Sequence, residues 1–264
     1  MISEIKKGLI ILKRDGPSEA ILAGLRFYNI NIEGYIHYYR YVLLTKYLKT
    51  QKRTCPFSII YIDPRRITEM TKEQVSRWEY LGFARNGRWD QETEQIRSSM
   101  KFRSVYQRFV DGKQWNETVM YKTAFNKVKS GEIYWNGCRS VEDIEKRTKE
   151  IDQLYREIKN TGYKSQEEIH NDDIKSLLLS TDFNRSKEEV AIAIGRAGEF
   201  LFIDGNHRLA IAKALELEEI PVHVVFRHAR WEEIRQEIKQ ADDLTQLDNA
   251  TKRHINHPDV ESLV

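Results

Sequence analysis

The alternation of hydrophobic and polar positions is clearest in the last third of the chain. Residues 190–194 read Val-Ala-Ile-Ala-Ile and residues 199–204 read Glu-Phe-Leu-Phe-Ile-Asp. Short apolar runs of this kind are typical of buried strands. The segment between them, 195–198, begins and ends with glycine and is predicted to be a hairpin turn. A further apolar run, Val222–Phe226, follows Pro221 and predicts a third strand.

Helical periodicity is strongest between Ser140 and Asn160. Ser140 is predicted to cap this helix with Asp143 in a weaker form of the capping box, and Gly162 is predicted to end it. The apolar residues at helical spacing are Val141, Ile144, Ile151, Leu154, Tyr155 and Ile158. Further helices are predicted over about 91–110, 116–130, 205–217 and 231–240.

The first strand is predicted at Phe57–Ile62 and ends at Asp63-Pro64. After it, Thr71 is predicted to cap a short helix with Gln74 in the capping-box position. The tail after Asp242 is polar. Strands and helices together predict an α+β fold.

Composition places the chain among globular proteins. Of its 264 residues 40% are hydrophobic and 31% are charged, and no apolar run is long enough to span a membrane. The N-terminal sequence does not predict a signal peptide. Two cysteines, Cys55 and Cys138, are too few for a disulfide framework or a four-thiolate zinc site, and the histidine spacing predicts no metal site. We therefore expect a cytoplasmic protein.

Positive charge is concentrated at the start of the chain. Residues 1–57 contain ten Lys and Arg against four Asp and Glu, together with a cluster of tyrosines. A helix predicted over 30–48 has two interpretations. It lies on a membrane surface or binds acidic partners such as nucleic acid, or it docks on the main domain through its Tyr and Leu side chains. The discontinuous apolar face favours docking.

The segment with the clearest chemistry is the turn Asp204–Arg208. A strand ends at Asp204, Gly205 turns, and a helix begins with Asn206, His207 and Arg208. Free backbone N–H groups at a helix N-terminus bind anions, and an arginine fork suits phosphate oxygens. His207 is a candidate phosphate donor, proton shuttle or simple structural hydrogen-bonding residue. Asp204 either holds a cation, orients His207 or caps the helix.

In this context the sequence resembles the ParB/sulfiredoxin-like superfamily. The resemblance is carried by the strand Phe200–Asp204, the turn Gly205–Arg208, the alanine-rich helix Leu209–Leu215 and the strand start Ile220-Pro221-Val222. ParB proteins usually have Glu-Arg-Arg after the glycine and sulfiredoxins Cys-His-Arg, whereas this chain has Asn-His-Arg. The layout, including Trp89-Asp90, the segment 115–118 and His257-Pro258-Asp259, looks like that of ParB-like proteins of archaea and their viruses.

The resemblance implies a small mixed sheet with helices. Residues 57–226 would be the ParB/sulfiredoxin-like domain, with a largely helical insertion at about 65–139, an N-terminal helical extension at 1–56, and a C-terminal helix and polar tail at 227–264. The segment 157–166 is similar to the superfamily's nucleotide-contacting segment. This similarity adds Lys164 and Gln166 to the expected nucleotide-binding residues Gly205, Asn206, His207 and Arg208.

Members of the superfamily bind nucleotides at this turn, which implies ATP, ADP or CTP with Mg²⁺. Asn206 stands at the position of the sulfiredoxin cysteine, so that chemistry is excluded. The ParB Glu-Arg-Arg set is missing, and only 38 residues follow Phe226. We therefore expect a nucleotide-dependent phosphotransferase or NTPase acting on a small-molecule acceptor. The alternatives are a nucleic-acid-binding or regulatory module without catalysis and, third, a peripheral membrane protein.

Phosphoryl transfer also needs a base or positioning group near the acceptor. Asp204 and His207 are candidates at the turn. Asp90 is the first choice elsewhere, because it lies in a glycine-containing loop after the first strand. Glu117, Glu167 and Glu168 are the other candidates.

Overall fold

The structure is a computed structural model, and it describes residues 58–73, 75, 77, 79–165, 168, 189–261 and 263. The chain divides into two units, Met1–Gln51 and Lys52–Val264, and every feature reported below belongs to the second. The predicted extension at 1–56, together with Gln74, Gln166 and Glu167, lies outside the described residues.

Seven strands form one mixed sheet in the described part of the chain. They are β1 (Ser58–Ile62), β2 (Glu69–Thr71), β3 (Ala84–Arg85), β4 (Thr93–Gln95), β5 (Val190–Ile194), β6 (Phe200–Asp204) and β7 (Ile220–His228). The order is β1-β7-β5-β6-β2-β4, and β3 also pairs with β7. The pairs β1/β7, β5/β6 and β2/β4 are antiparallel, whereas β5/β7, β2/β6 and β3/β7 are parallel.

Strand β7 is the longest in the sheet and is buried along its whole length. Its first half pairs with β1, where Ile220 faces Ile62, and its second half pairs with β3, where Arg227 faces Ala84. Its neighbour β5 is also buried throughout. Apolar, mostly β-branched side chains on both faces explain why these two strands form the centre of the sheet.

Seven α-helices are found in the described residues. They are α1 (Met100–Phe109), α2 (Val119–Lys129), α3 (Val141–Thr161), α4 (Asn206–Ala214), α5 (Ala229–Gln240), α6 (Asn249–Lys252) and α7 (Pro258–Glu261). The predicted α+β class is confirmed. The capping box of Ser140 and Asp143 is present at the start of α3. In the part of the chain described here, no helix combines the length and apolar character needed to cross a membrane.

The region 65–139 differs from its prediction. It holds α1 and α2, but it also contributes β2, β3 and β4 to the sheet, so it is mixed rather than largely helical. Residues 93–98, predicted to be helical, form β4 and a short 3₁₀ turn instead. Thr71 ends β2, and its hydroxyl donates to the carbonyl oxygen of Glu73 rather than capping a helix.

The C-terminal segment is not an open polar tail. Asp259 is 1% exposed and accepts hydrogen bonds from the guanidinium of Arg227 and from Nε1 of Trp231. His257, two residues earlier, is within 3.0 Å of the Gly198 carbonyl oxygen through its Nε2. These bonds bind the end of the chain to β7 and to the β5–β6 turn, a long-range arrangement that local polarity does not indicate.

Candidate phosphate site at two helix N-termini

The turn after β6 has the geometry of an anion site. Gly205 adopts a left-handed backbone, with φ of +97°, and a Cβ there would lie 2.9 Å from Cα of Val190. Only glycine fits such a position without displacing backbone. Helix α4 begins at the next residue, and no described side chain caps it. Its first N–H groups therefore point out of the helix without intrahelical partners, at the positive end of the helix dipole.

A second helix begins beside this turn. Ser99 precedes α1, and its hydroxyl donates to Oδ1 of Asn206 over 3.2 Å. In the described structure no side chain caps α1 either. Two helix N-termini therefore meet, and their partial positive charges add. The sequence predicted one helix over 91–110, so the start of α1 at Met100 was not predicted.

Lys101, in the first turn of α1, adds a full positive charge. Its Nζ donates to Oδ1 of Asn136 over 2.9 Å. Burial lowers the pKa of Lys101, with Asp204 acting in the opposite direction and Arg147 in the same one. A half-buried ammonium is stabilised by an anion placed next to it. No sequence signal distinguishes Lys101 from the other lysines of the chain, so it was not among the predicted site residues.

A groove of about 520 Å³ opens at this junction. Polar and apolar side chains both line it. The polar ones include Ser99, Lys101, Asn206 and the carboxylates Glu73 and Glu94, and the apolar ones include Met100, Met120, Tyr134 and Phe202. The volume is within the range of about 300–1,000 Å³ that small-molecule sites occupy. The lining therefore offers a ligand ammonium groups, two carboxylates and apolar surface.

The Nε2 atom of His207 is buried. It has no hydrogen-bond partner among the described residues. Burial, reinforced by the positive charges of Lys101 and Arg147, lowers the pKa of His207 to about 4, although Asp204 opposes this shift. The imidazole is therefore neutral at pH 7. It can donate or accept a hydrogen bond there, depending on its tautomer.

Arg208 is held by protein groups. Its Nε donates to the Tyr163 hydroxyl and its guanidinium to the Lys164 carbonyl oxygen, each over 2.8 Å. The guanidinium also lies 4.4 Å from the centre of the Tyr163 ring and 3.9 Å from a Glu189 carboxylate oxygen. Arg208 thus connects the segment after α3 to the turn. Lys164 belongs to this segment, and its side chain is exposed. A phosphate contact by Arg208 or Lys164 stays a prediction.

Asp204 is the exposed carboxylate of the turn, with 59% of its side chain accessible. One oxygen accepts from the Gly205 N–H over 2.7 Å, and the other lies 3.3 Å from Nε of Arg77. It does not cap α4 directly. Within the described residues no group of three or more His, Cys, Asp or Glu is placed to hold a metal ion. A Mg²⁺ ion carried by nucleotide phosphates needs only one or two protein carboxylates, and a metal contact by Asp204 stays a prediction.

Asp90 is not part of this site. Its side chain is 2% exposed and pairs with Arg196 at 2.7 Å, while a carboxylate oxygen also accepts from the Arg196 backbone N–H. Burial raises the pKa of Asp90, but the Arg196 bonds outweigh it and the net pKa is lowered. Arg196 lies in the β5–β6 turn, at the end of β6 opposite Asp204. A five-residue strand separates the two ends by about 13 Å, so Asp90 lies away from the turn, and its role as a base stays a prediction.

Two other predicted bases have structural partners. Glu117 accepts from the Gln114 backbone N–H over 2.8 Å and completes the capping box of a 3₁₀ turn. Glu168 accepts from the Ser165 N–H over 2.7 Å. Both carboxylates are engaged in local backbone turns, which explains their positions without a catalytic role.

The loop Tyr134–Cys138 carries backbone strain next to the site. Trp135, Asn136 and Gly137 have φ values of 45°, 59° and 95°. Left-handed backbone costs a non-glycine residue about 1–3 kcal/mol and clusters at functional sites. Two backbone hydrogen bonds between Tyr134 and Cys138 close the loop, and burial of Trp135, which is 3% exposed, offsets the strain. The loop holds Asn136 against Lys101 and Trp135 beside His207.

Comparison with protein-family models, with curated proteins and with solved structures finds no match for this chain. The resemblance to the ParB/sulfiredoxin-like superfamily therefore stays a prediction. The residues of this chain alone carry the functional argument.

Proposed function

We propose that the chain binds a nucleotide with its phosphates at the junction of α1 and α4. The observation that carries the proposal is the Ser99–Asn206 hydrogen bond, which brings two uncapped helix N-termini together. Lys101 supplies an ammonium at the same place. Anionic oxygens are the groups that such a concentration of positive charge and N–H donors favours.

The groove supports a nucleotide rather than free phosphate. Its volume exceeds what one phosphate group fills, and its apolar side contains Tyr134 and two methionines, Met100 and Met120. Aromatic and thioether side chains pack well against the flat face of a base. The base would lie along this side while the phosphates face Lys101 and Asn206. Mg²⁺ would accompany the phosphates, and Asp204 is the residue that can contact it.

Phosphoryl transfer or hydrolysis is the reaction that we propose for this site. Such reactions depend mainly on positioning and on neutralising phosphate charge. Lys101 and the two helix N-termini would neutralise charge. Asp204 is our candidate for orienting the acceptor or its metal, because Asp90 pairs with Arg196 and Glu117 accepts from the Gln114 backbone N–H. The acceptor is a small molecule that enters the groove beside the phosphates.

Calorimetric titration tests the proposal directly. ATP, ADP, CTP and GTP, each with Mg²⁺, are titrated into the full-length wild type, Lys101→Met and Lys122→Met. Lys122 is an exposed lysine of α2 and controls for the loss of one positive charge. We expect binding to the wild type and to Lys122→Met, and binding weakened at least about tenfold in Lys101→Met. Absence of binding to the wild type contradicts the proposal.

Nucleic acid is the alternative ligand, since residues 1–57 are strongly basic. The same variants distinguish nucleic-acid binding from nucleotide binding at the proposed site. Binding of DNA that falls steeply with salt and ignores Lys101→Met would favour contacts by the basic extension over the proposed site.

A further inference from the structure

Three neighbouring strands contribute a row of side chains to the groove beside the helix junction. Met70 of β2 pairs with Phe202 of β6 on one side and with Glu94 of β4 on the other. Residues that pair directly on neighbouring strands share one face of the sheet, and all three line the groove. Strands lie about 4.8 Å apart, so Glu94 is about 10 Å across the sheet from Phe202. The row therefore ends in a carboxylate on β4, the last strand of the sheet order.

Hydrogen bonds on the other face of β2 and β4 agree with this alternation. Glu69 accepts from the Thr93 hydroxyl over 3.0 Å and from Nε2 of Gln95 over 3.1 Å. These three residues alternate along the strands with Met70 and Glu94, and successive side chains of a strand point to opposite faces. The side chain of Glu94 therefore belongs to the groove face.

A hydrogen bond connects Glu94 to the segment that enters α1. The Ser98 hydroxyl donates to Oε2 of Glu94 over 3.1 Å. The next residue, Ser99, forms the bond to Asn206 that joins the two helix N-termini. The Glu94 carboxylate is therefore beside the place where the proposed function puts the phosphates.

Of the two carboxylates in the lining, Glu94 is the one with an oxygen left for a ligand. Both oxygens of Glu73 accept from Nη2 of Arg85, over 2.7 and 2.8 Å. No described residue forms a hydrogen bond or an ion pair with Oε1 of Glu94, and the side chain is exposed. Asp204 is not among the lining residues. An ionised carboxylate oxygen of this kind can accept a proton from a substrate.

We propose that Oε1 of Glu94 is the general base of the site and takes the proton of the attacking hydroxyl group or water. This inference rests on the proposed function and supplies the base that its reaction needs. The acceptor oxygen forms a bond to the terminal phosphorus of a nucleoside triphosphate. The bond from that phosphorus to the bridging oxygen breaks, and the nucleoside diphosphate leaves with the electron pair.

The proton then passes from Glu94 to solvent, which reaches its exposed side chain. A carboxylate beside phosphates is repelled by them. Lys72 and Lys101 line the same groove, and their positive charges offset this repulsion.

Phosphate release tests the inference with water as the acceptor. ATP and CTP, each with Mg²⁺, are incubated with the full-length wild type, Glu94→Gln and Glu92→Gln, and calorimetry gives the nucleotide affinity of each protein. Glu92→Gln is the matched control, because Glu92 is exposed, lies two residues before Glu94 and is not among the lining residues.

We expect Glu94→Gln to lower kcat by about 100-fold or more, since the amide cannot accept the proton. Its nucleotide affinity should equal or exceed that of wild type, because a negative charge beside the phosphates is removed. Glu92→Gln should keep both values. Formate should restore part of the turnover of Glu94→Ala, in which it can occupy the place of the carboxylate, and a merely structural role would show no such rescue.

Failure of this inference is distinguishable from failure of the proposed function. A wild type that binds neither nucleotide overturns both, and one that binds but releases no phosphate overturns the reaction and its base while the binding site stands. Wild-type turnover in Glu94→Gln overturns this inference alone. So does a turnover that excess Mg²⁺ restores in Glu94→Gln, which would make Glu94 a metal ligand. If Glu94→Gln does not fold, Glu94→Asp replaces it, and an unchanged kcat in that variant has the same meaning.

Discussion

The hydroxyl of Ser99 bonds the side-chain oxygen of Asn206 over 3.2 Å, and 107 positions of sequence separate the two residues. The bond joins the first turns of α1 and α4, which pack against each other in front of the sheet. Helix N-termini repel when their dipoles point to one place. The packing of the two helices and this neutral hydrogen bond hold them together here, and an anion would stabilise the arrangement further.

Removing this bond should lower stability measurably. Ser99→Ala deletes the donor and leaves the Asn206 oxygen without it, so we expect the free energy of unfolding to fall by about 1 kcal/mol. Urea denaturation of Ser99→Ala against wild type measures the loss. Ser98→Ala is the control, because Ser98 is exposed and its hydroxyl donates to the Glu94 carboxylate four residues earlier. Equal losses in the two variants would contradict a structural role for the Ser99 bond.

A negative charge at Asn206 should strongly weaken phosphate binding while the fold is kept. Asn206→Asp changes the shape little, retains an acceptor for Ser99 and favours the helix N-terminus. We expect wild-type or higher melting temperature and affinity for Mg²⁺-nucleotide reduced by about 100-fold or more. Gln91→Glu adds the same charge on an exposed loop residue and should bind normally. Normal binding by Asn206→Asp would exclude phosphates from this junction.

Asp90 should affect stability and not binding. Asp90→Asn breaks the ion pair with Arg196, whose side chain is 33% exposed. We expect a loss of about 2 kcal/mol in the free energy of unfolding, less than for a fully buried pair. Nucleotide affinity, measured by calorimetry well below the melting temperature, should equal that of wild type. A selective loss of turnover with normal stability would return Asp90 to the candidate bases.

Stability should fall on acidification in a defined range of pH. Burial lowers the pKa of His257 to about 4 from its ordinary 6.5, although its bond with the Gly198 carbonyl oxygen opposes the shift. The unfolded chain therefore takes up this proton first, and the stability present above pH 6.5 is lost as the pH falls towards 4. One such histidine contributes at most about 3 kcal/mol.

His257→Gln isolates this contribution, because His207 shifts in the same direction and stays in place. The glutamine amide can still donate to the Gly198 carbonyl oxygen. Urea denaturation at several pH values between 7.5 and 4.5 should show a smaller decline in stability for His257→Gln than for wild type. Parallel declines would mean that His257 does not titrate with folding.

Local sequence patterns were enough to predict the longer strands and helices. The hairpin β5–β6, the Gly205 turn and the capped helix α3 were all predicted from apolar periodicity together with turn glycines and a helix-capping serine. Strands β2, β3 and β4 were missed because they have two or three residues each. Such short, polar segments become strands only because a remote partner is present. For β2 that partner is β6, more than a hundred residues later.

For the candidate site too, residues close in sequence were predicted and residues remote in sequence were not. The residues of the turn, Gly205 to Arg208, were found because a strand, a glycine and a helix start follow each other. Lys101 and Trp135 were not candidate site residues, because their role depends on which distant residue they face. Asp90 was a candidate base because of its loop position. Its ion pair with Arg196, a residue remote in sequence, could not be predicted from local pattern.

The place of β7 in the sheet has a consequence for how the chain acquires its structure during synthesis. β1 is the first described strand, and it meets the sheet through β7, where Ile62 pairs with Ile220. A nascent chain that ends before residue 220 has β1 and the β5–β6 hairpin but no strand to join them. Since non-local pairings of this kind close late, the sheet is completed only after β7 has left the ribosome. Until then the apolar side chains of β1 that the folded protein buries, Ile60 and Ile62, lack the strand that pairs with β1.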